Sequence, residues 1–237
     1  IPLGLGLLFG LIAFDSCASL STGAGKVLPP TVKAFLETNG PNLGAYEESD
    51  VHELAAYYRF DRRYLAKASL EQVWAHYLMI DPRVAWRTDM TSFGVVYDPG
   101  QDRLYGSASE DLPRFAVGQT FVLELTLAGF LKIPVAFRIS GIKPSEHVIE
   151  FVYLKKNLSN GLQRISFLAA QDGKGRAHTV IDHESWFRSG HDFRDHFLYA
   201  AFHEAIIDAF HWSVLRAGRI PAAPLAAPDP FGLPASY

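Results

Sequence analysis

The chain has 237 residues, of which 49% are hydrophobic and 13% aromatic, and its formal net charge is −3. This length and apolar content suffice for one large core with extensions, and they exclude a disordered chain. The basic residues are scattered, which argues against a nucleic-acid partner. The lone Cys17 excludes an internal disulfide framework and a cysteine-based zinc site.

The first 14 residues, IPLGLGLLFGLIAF, carry no charged or polar side chain. A helix of this length is about 21 Å long and the hydrocarbon core is ~30 Å thick, so a full crossing needs more residues or a thinned bilayer. A cleaved secretory segment with Cys17 as lipid acceptor is the alternative interpretation, although Phe14-Asp15-Ser16 departs from the small and apolar residues expected before such a cysteine. We predict a retained membrane anchor over residues 1–16. Its membrane-facing side chains are Leu3, Leu5, Leu7, Leu8, Phe9, Leu11, Ile12 and Phe14.

Residues 17–57 are rich in Gly, Pro, Ser and Asn, with a short apolar patch at residues 32–36. This composition predicts a linker or an arm that runs over the surface. Few basic residues follow the apolar run, which favours a periplasmic rather than a cytoplasmic position for the rest of the chain.

The folded domain is predicted to cover residues 58–218 and to begin with a half-buried strand. Residues 58–68 alternate between apolar and charged side chains, as a strand with one buried face does. Ser69 and Gln72 have the spacing of a capping box, which predicts a short helix that ends at Asp81-Pro82. A second helical turn is predicted over residues 83–87.

An antiparallel meander follows, because apolar runs alternate with turn signals such as Asp98-Pro99-Gly100 and the residues 172–175 (DGKG). The predicted strands are residues 92–97, 103–109, 119–128, 134–142, 147–155, 162–170 and 177–187. Residues 192–216 then predict a long helix, preceded by Ser189-Gly190 and followed by Gly218. Its apolar side chains cover most of the circumference, so the helix is expected to be buried along most of its length.

This order of elements resembles the START-like (SRPBCC, polyketide cyclase and Bet v 1-like) superfamily. Three segments carry the resemblance: KASLEQVWAHYLMIDP, QRISFLAAQDGKGRAHTVIDHESWF and HFLYAAFHEAIIDAFHWSVLRAG. The resemblance implies an α+β helix-grip fold, in which a curved antiparallel sheet surrounds a long C-terminal helix and leaves a hydrophobic cavity. Ligands in the superfamily include lipids, sterols, polyketides and pigments. The superfamily has no universal catalytic residue, so none is assigned here.

Aromatic and aliphatic side chains at helix and strand spacing could line such a cavity, or could fill the core. The candidates for a lipid or pigment site are Phe151, Tyr153, Phe167, Trp186, Phe202, Ile206 and Phe210.

Histidines suggest a metal or proton-handling site, but their spacing does not match one. His203-Glu204 lacks the second histidine of an H-E-x-x-H motif. On the last strand, His183 points away from the face shared by His178, Asp182 and Glu184. We therefore interpret the polar groups of this strand and of the helix stripe Glu204, Asp208 and His211 as solvated faces. No metal and no cofactor is expected.

The last segment, residues 219–237, is rich in proline and cannot form a helix or an interior strand. We predict an extended strap that binds a partner subunit through Leu225, Phe231, Leu233 and Tyr237. Docking of the strap on its own domain is the alternative.

Three hypotheses about function follow. The first, which best accounts for the two extensions, is a non-catalytic accessory or scaffolding subunit of a membrane protein complex. The second is a membrane-tethered carrier of a lipid or pigment. The third is a cyclase-like enzyme that uses a histidine or aspartate in the cavity as general acid or base.

Overall fold

The structure is a computed structural model, and it describes residues 28–40, 42–51, 53–155, 157–191, 195 and 200–225. The helices are α1 (Pro30–Asn39), α2 (Leu70–Met79), α3 (Pro82–Ala85) and α4 (Ala200–Ala217). The strands are β1 (Tyr58–Ala66), β2 (Thr91–Asp98), β3 (Arg103–Gly106), β4 (Thr120–Leu127), β5 (Leu131–Lys143), β6 (Val148–Tyr153), β7 (Asn160–Gln171), β8 (Ala177–Arg188) and β9 (Ala222–Leu225).

The strands form one sheet in the order β3-β2-β4-β5-β6-β7-β8-β1-β9, and all neighbours are antiparallel. The predicted strands of the meander are thus confirmed, with small shifts at their ends. The first strand joins the far side of this meander by pairing with β8, where Tyr58 lies opposite Phe187.

The predicted capping box at the start of α2 is present. The Ser69 hydroxyl accepts a hydrogen bond from the Gln72 backbone N–H at 3.4 Å, and the Gln72 side-chain oxygen accepts one from the Ser69 N–H at 3.2 Å. The helix ends before Asp81, whose carboxylate accepts from the Arg83 N–H at 2.8 Å and so caps α3.

Helix α4 packs against one face of the sheet along much of its width. Ile207, Phe210, Val214 and Leu215 belong to the main apolar core. The sheet residues of that core come from strands β1–β8: Tyr64, Ala66, Phe93, Val96, Tyr105, Phe121, Leu123, Phe137, Ile139, Ile149, Phe151, Tyr153, Ile165, Phe167 and Ile181. The sheet therefore surrounds the helix, which confirms the predicted helix-grip fold.

The opposite face of the sheet is covered in part by α1. Val32, Phe35 and Leu36 are buried there, in a second apolar cluster that also contains Val95 and Val122. Gly94 permits this close approach, because a Cβ at residue 94 would lie 2.8 Å from a Val32 methyl and 2.6 Å from the Val122 carbonyl oxygen. The apolar patch at residues 32–36 is thus a helix packed on the sheet, within the segment that was expected to be a linker or arm.

The start of the proline-rich segment is an edge strand of the same sheet. In β9, Leu225 lies opposite Arg63 of β1, and the Pro221 carbonyl accepts from the Lys67 N–H at 2.7 Å. Leu225, which was expected to bind a partner, is therefore paired with its own domain. The other three predicted partner residues, Phe231, Leu233 and Tyr237, lie outside the described residues, as do residues 1–16 of the predicted anchor. Within the described ranges, no helix has both the length and the apolar character needed to cross a bilayer.

Candidate ligand cavity

A cavity of about 250 Å³ lies between α4 and strands β4–β8. Most of its lining is apolar: Trp86, Leu123, Leu125, Leu127, Leu131, Ile133, Pro134, Val135, Phe137, Phe151, Leu158, Phe202, Ile206, Ile207 and Phe210. The polar side chains in the lining are Tyr153, Asn157, Ser159, Gln163, His183 and His203. No Asp, Glu, Lys or Arg occurs among the described lining residues, so the interior offers no counter-charge to a charged ligand.

Five of the seven residues predicted for the cavity line it: Phe151, Tyr153, Phe202, Ile206 and Phe210. They lie on β6 and α4, where the strand and helix periodicities place them on the sides of these elements that face each other.

The other two predicted cavity residues do not line it. Phe167 packs edge-on against Tyr77, with ring centroids 4.8 Å apart, in the core beneath α2. Trp186 belongs to a small cluster with Val152 and Leu162. Trp186 lies three residues after His183 in β8. Because successive side chains of a strand point to opposite faces, Trp186 and His183 lie on opposite faces of the sheet.

The interpretation of the histidines as part of a solvated surface is wrong for His183 and His211, and also for His178 on the other face of β8, which is 7% exposed. His183 is 2% exposed, His203 8% and His211 0%. Their positions follow from packing: His183 is on the inner face of β8, and His203 and His211 are on the side of α4 that meets the sheet. Sequence periodicity alone placed His211 in a polar stripe, because Glu204 and Asp208 share that stripe.

The buried histidines belong to a continuous chain of hydrogen bonds. The Tyr77 hydroxyl lies 2.7 Å from His211 Nδ1, and His211 Nε2 lies 2.8 Å from His183 Nδ1. His183 Nε2 lies 3.1 Å from Gln163 Oε1, and the Gln163 amide nitrogen donates to the Tyr153 hydroxyl. The Tyr153 hydroxyl is in turn 3.3 Å from His203 Nε2. The chain leads from the core beneath α2 to the cavity wall, and Gln163, Tyr153 and His203 form its cavity end.

The amide of Gln163 fixes the direction of this chain. A carbonyl oxygen only accepts, so His183 must donate from Nε2, and as a neutral imidazole it then accepts at Nδ1. His211 must therefore donate from Nε2 and accept the Tyr77 proton at Nδ1. At the other end, the Tyr153 hydroxyl accepts from Gln163, and the direction of its hydrogen bond with His203 Nε2 depends on the His203 tautomer. Every link is satisfied with all groups neutral.

The electrostatics of the site agree with neutral histidines. Burial lowers the pKa of His183 to about 3, and the neighbouring His203 contributes in the same direction. Burial, followed by the proximity of His183, also lowers the pKa of His211 well below its ordinary value, and burial raises the pKa of Tyr77. None of the three gains or loses a proton near neutral pH.

The acidic groups of α4 contact β1 and not the cavity. Both carboxylate oxygens of Asp208 accept from the Arg62 guanidinium, at 3.0 and 2.9 Å, and one also accepts from the Tyr64 hydroxyl at 2.5 Å. Glu204 lies 2.9 Å from the same guanidinium. Burial and then the Asp208 hydrogen bond raise the pKa of Tyr64, so this hydroxyl stays protonated. The group is an ion-pair network that links helix to sheet.

One lining side chain has an unsatisfied donor. Trp86 is stacked on Phe210, with centroids 4.4 Å apart, and its indole Nε1–H is buried with no hydrogen-bond partner among the described residues. Such a donor costs free energy unless a partner is supplied. No three His, Cys, Asp or Glu side chains within the described part of the chain are arranged to hold a metal ion.

Sequence reasoning missed Gln163 and Tyr77 as members of the polar chain. The hairpin turn at residues 172–175 fixes the β7–β8 register, in which Gln171 lies opposite Ala177, so Gln163 lies opposite Ser185 and diagonal to His183. That neighbourhood could have been inferred from the turn. The contact of Tyr77 with His211 joins two helices and has no such local signal.

No protein-family model matches the chain, and no curated protein matches it. Among solved structures, the chain is similar to a conserved protein from Geobacillus kaustophilus (12% identity, TM-score 0.45, covering 69% of this chain and 99% of that one). It is also similar to Ara h 8.0201, with 12% identity and a TM-score of 0.45, over 68% of this chain and 99% of that one. A third similar structure is a norcoclaurine synthase from Thalictrum flavum, with 12% identity and a TM-score of 0.42, over 68% of this chain and 96% of that one.

These likenesses are distant, at 12% identity and with TM-scores below 0.5. The chain's own element order is the one that the resemblance implied, and β3 and β9 lie at the two edges of the sheet. The predicted architecture, a mostly antiparallel sheet packed on a C-terminal helix, is thus confirmed.

Proposed function

We propose that this domain binds a neutral, mainly apolar small molecule that carries one hydrogen-bonding group. The observation that carries the proposal is the lining of the cavity, which is apolar except for one uncharged polar wall. Apolar contact surface supplies most of the affinity in sites of this kind, and a few placed polar groups orient the ligand.

The polar wall favours a ligand with a hydroxyl or carbonyl group. Gln163 uses one amide hydrogen and one oxygen lone pair in the polar chain, which leaves one of each for a ligand. The indole N–H of Trp86 is a further donor that a ligand acceptor could satisfy after a small shift of the ring. A carboxylate is disfavoured, because a buried charge without a partner costs several kcal/mol.

The geometry supports binding in preference to chemical conversion. Both ring nitrogens of His183 are engaged, one by His211 and one by Gln163. A general base needs a free lone pair within reach of the substrate, and the accepting nitrogen of His183 faces His211. The cyclase-like alternative would be favoured if a bound ligand were converted and the conversion were lost in His183→Gln.

A fluorescence titration with N-phenyl-1-naphthylamine tests the proposal. The wild-type chain should bind this neutral apolar probe with blue-shifted emission. Ile206→Trp adds a bulky ring to the cavity wall and should weaken binding at least tenfold. Leu168→Trp, at a position that is 48% exposed and outside the cavity, is the matched control and should bind as the wild type does. Equal binding by both variants would refute a cavity site.

The membrane-related part of the proposal concerns the chain ends. The apolar run of residues 1–14 supports a membrane-tethered carrier or an accessory subunit of a membrane complex, with the domain on the periplasmic side. Purification in mild detergent distinguishes the two roles. An accessory subunit should co-purify with other chains at fixed stoichiometry, whereas a carrier should be isolated alone with its ligand.

A further inference from the structure

The turn between β4 and β5 carries the most exposed large apolar side chain of the described residues. Phe130 is 80% exposed, at the tip of a tight hairpin in which Ala128 and Gly129 have φ values of +50° and +76°. The backbone of this turn is hydrogen-bonded from Phe130 N–H to the Leu127 carbonyl at 3.2 Å. The ring is therefore held outward on a defined turn.

The tip continues into the opening of the cavity. Leu131, next to Phe130, is 51% exposed, and Leu158, in the loop between β6 and β7, is 57% exposed. Both residues also line the cavity. Phe130, Leu131 and Leu158 form an apolar rim, through which a ligand would enter or leave.

Two lysines lie next to the rim residues in the chain, Lys132 after Leu131 and Lys155 three residues before Leu158. Lys132 pairs with Glu124 at 2.9 Å and Lys155 with Glu47 at 2.6 Å, and both lysine side chains remain 52% exposed. Apolar tips flanked by long basic side chains are suited to the interface of a bilayer, where the stems lie along lipid and the ammonium groups meet headgroup phosphates.

We infer that the rim docks on a phospholipid bilayer, with Phe130 in the interfacial region and the cavity opening turned toward the lipid. A second protein chain fits less well: three side chains of this size expose at most a few hundred Å², well short of the ~800 Å² per partner in a standard interface. Membrane docking needs only a few apolar side chains with basic neighbours. The inference goes beyond ligand binding, because it holds whether or not the cavity is occupied.

Site-specific quenching in vesicles tests the inference on the full chain. Cys17→Ser provides a background without other thiols, and Phe130→Cys carries an environment-sensitive fluorophore. Matched labels go to Met79→Cys and Leu168→Cys, whose native side chains are 54% and 48% exposed and lie outside the cavity. The vesicles contain phosphatidylcholine and phosphatidylglycerol with brominated acyl chains. Labels report local depth, so the readout does not depend on any anchor in residues 1–16.

The label at residue 130 should be blue-shifted by vesicles and quenched several-fold more than the labels at residues 79 and 168. Equal quenching at all three positions, or none at 130, would overturn the inference. A blue shift of the label at residue 130 without vesicles would also overturn the inference. If that shift grows with protein concentration, the rim binds a second copy of the chain. If it persists on dilution, the rim is covered by the chain itself.

Discussion

His183 and His211 are neutral at the centre of the molecule because burial removes the water that would stabilise their charged forms. Their mutual hydrogen bond adds a second constraint, since two protonated imidazoles could not face each other at 2.8 Å. Acidification should therefore lower the free energy of unfolding through these two residues before it changes the cavity.

The sign of the pH effect follows from the lowered pKa values. An unfolded chain takes up a proton on each histidine near pH 6.5, whereas the folded chain resists until the pKa of about 3 at His183. The contribution of neutral His183 is fully present above pH 6.5 and is lost as the pH falls toward 3. Between pH 7 and 5, the free energy of unfolding should fall by about 2 kcal/mol through His183, and His211 should act in the same direction.

Urea denaturation of His183→Gln at both pH values checks this prediction. On acidification, the free energy of unfolding of the variant should fall by about 2 kcal/mol less than that of the wild type, because the variant has one titrating histidine fewer. His191→Gln, at an exposed position, is the control and should behave as the wild type does. An unchanged pH dependence in His183→Gln would show that this side chain is not held neutral by the fold.

At the scale of elements, α4 is attached to the sheet by a polar link as well as by the core. Asp208 accepts from both Arg62 and Tyr64 in a partly buried position, where charge-assisted bonds are strong. Asp208→Asn should lower the free energy of unfolding by about 2 kcal/mol. Glu204→Gln removes a more exposed charge, 46% accessible, from the same Arg62 and should cost less than about 1 kcal/mol. Equal costs would contradict the distinction between the two contacts.

The edge strand β9 offers a second test at this scale. Chains ending after Pro221 and after Leu225 differ only in β9, which pairs with β1 through Ala222–Leu225. The shorter chain should melt about 4 °C lower, because it loses backbone hydrogen bonds and exposes the edge of β1. Identical melting temperatures would indicate that Ala222–Leu225 contributes nothing to its own domain, and would favour the partner-binding strap.

Local signals predicted the elements well. The Ser69–Gln72 capping box and the Asp98-Pro99-Gly100 turn depend on neighbouring residues, and both reappear in the structure. The packing of α1 on the outer face was not predicted, because its short apolar patch is surrounded by turn-forming residues. Its burial depends on Gly94, a residue about sixty positions later in the chain.

At the scale of the whole molecule, the family resemblance implied a cavity, and the residue periodicities gave only part of its lining. Helix and strand periodicity gave Ile206, Phe210 and Phe151 correctly. It failed for Trp186, where the choice of face depends on the register of β8 within the sheet. The polar chain from Tyr77 to His203 joins α2, α4, β6, β7 and β8, so only the assembled fold brings its members together.

The most direct test of the central claim, a cavity for a neutral ligand with one hydrogen-bonding group, is displacement of bound N-phenyl-1-naphthylamine by decanol and by decanoate at neutral pH. Both have the same apolar chain and differ in their head group. Because the described lining carries no lysine or arginine and His183 stays neutral, decanol should displace the probe at a concentration at least tenfold lower than decanoate does. Displacement by decanoate at the same or a lower concentration would contradict the neutral cavity.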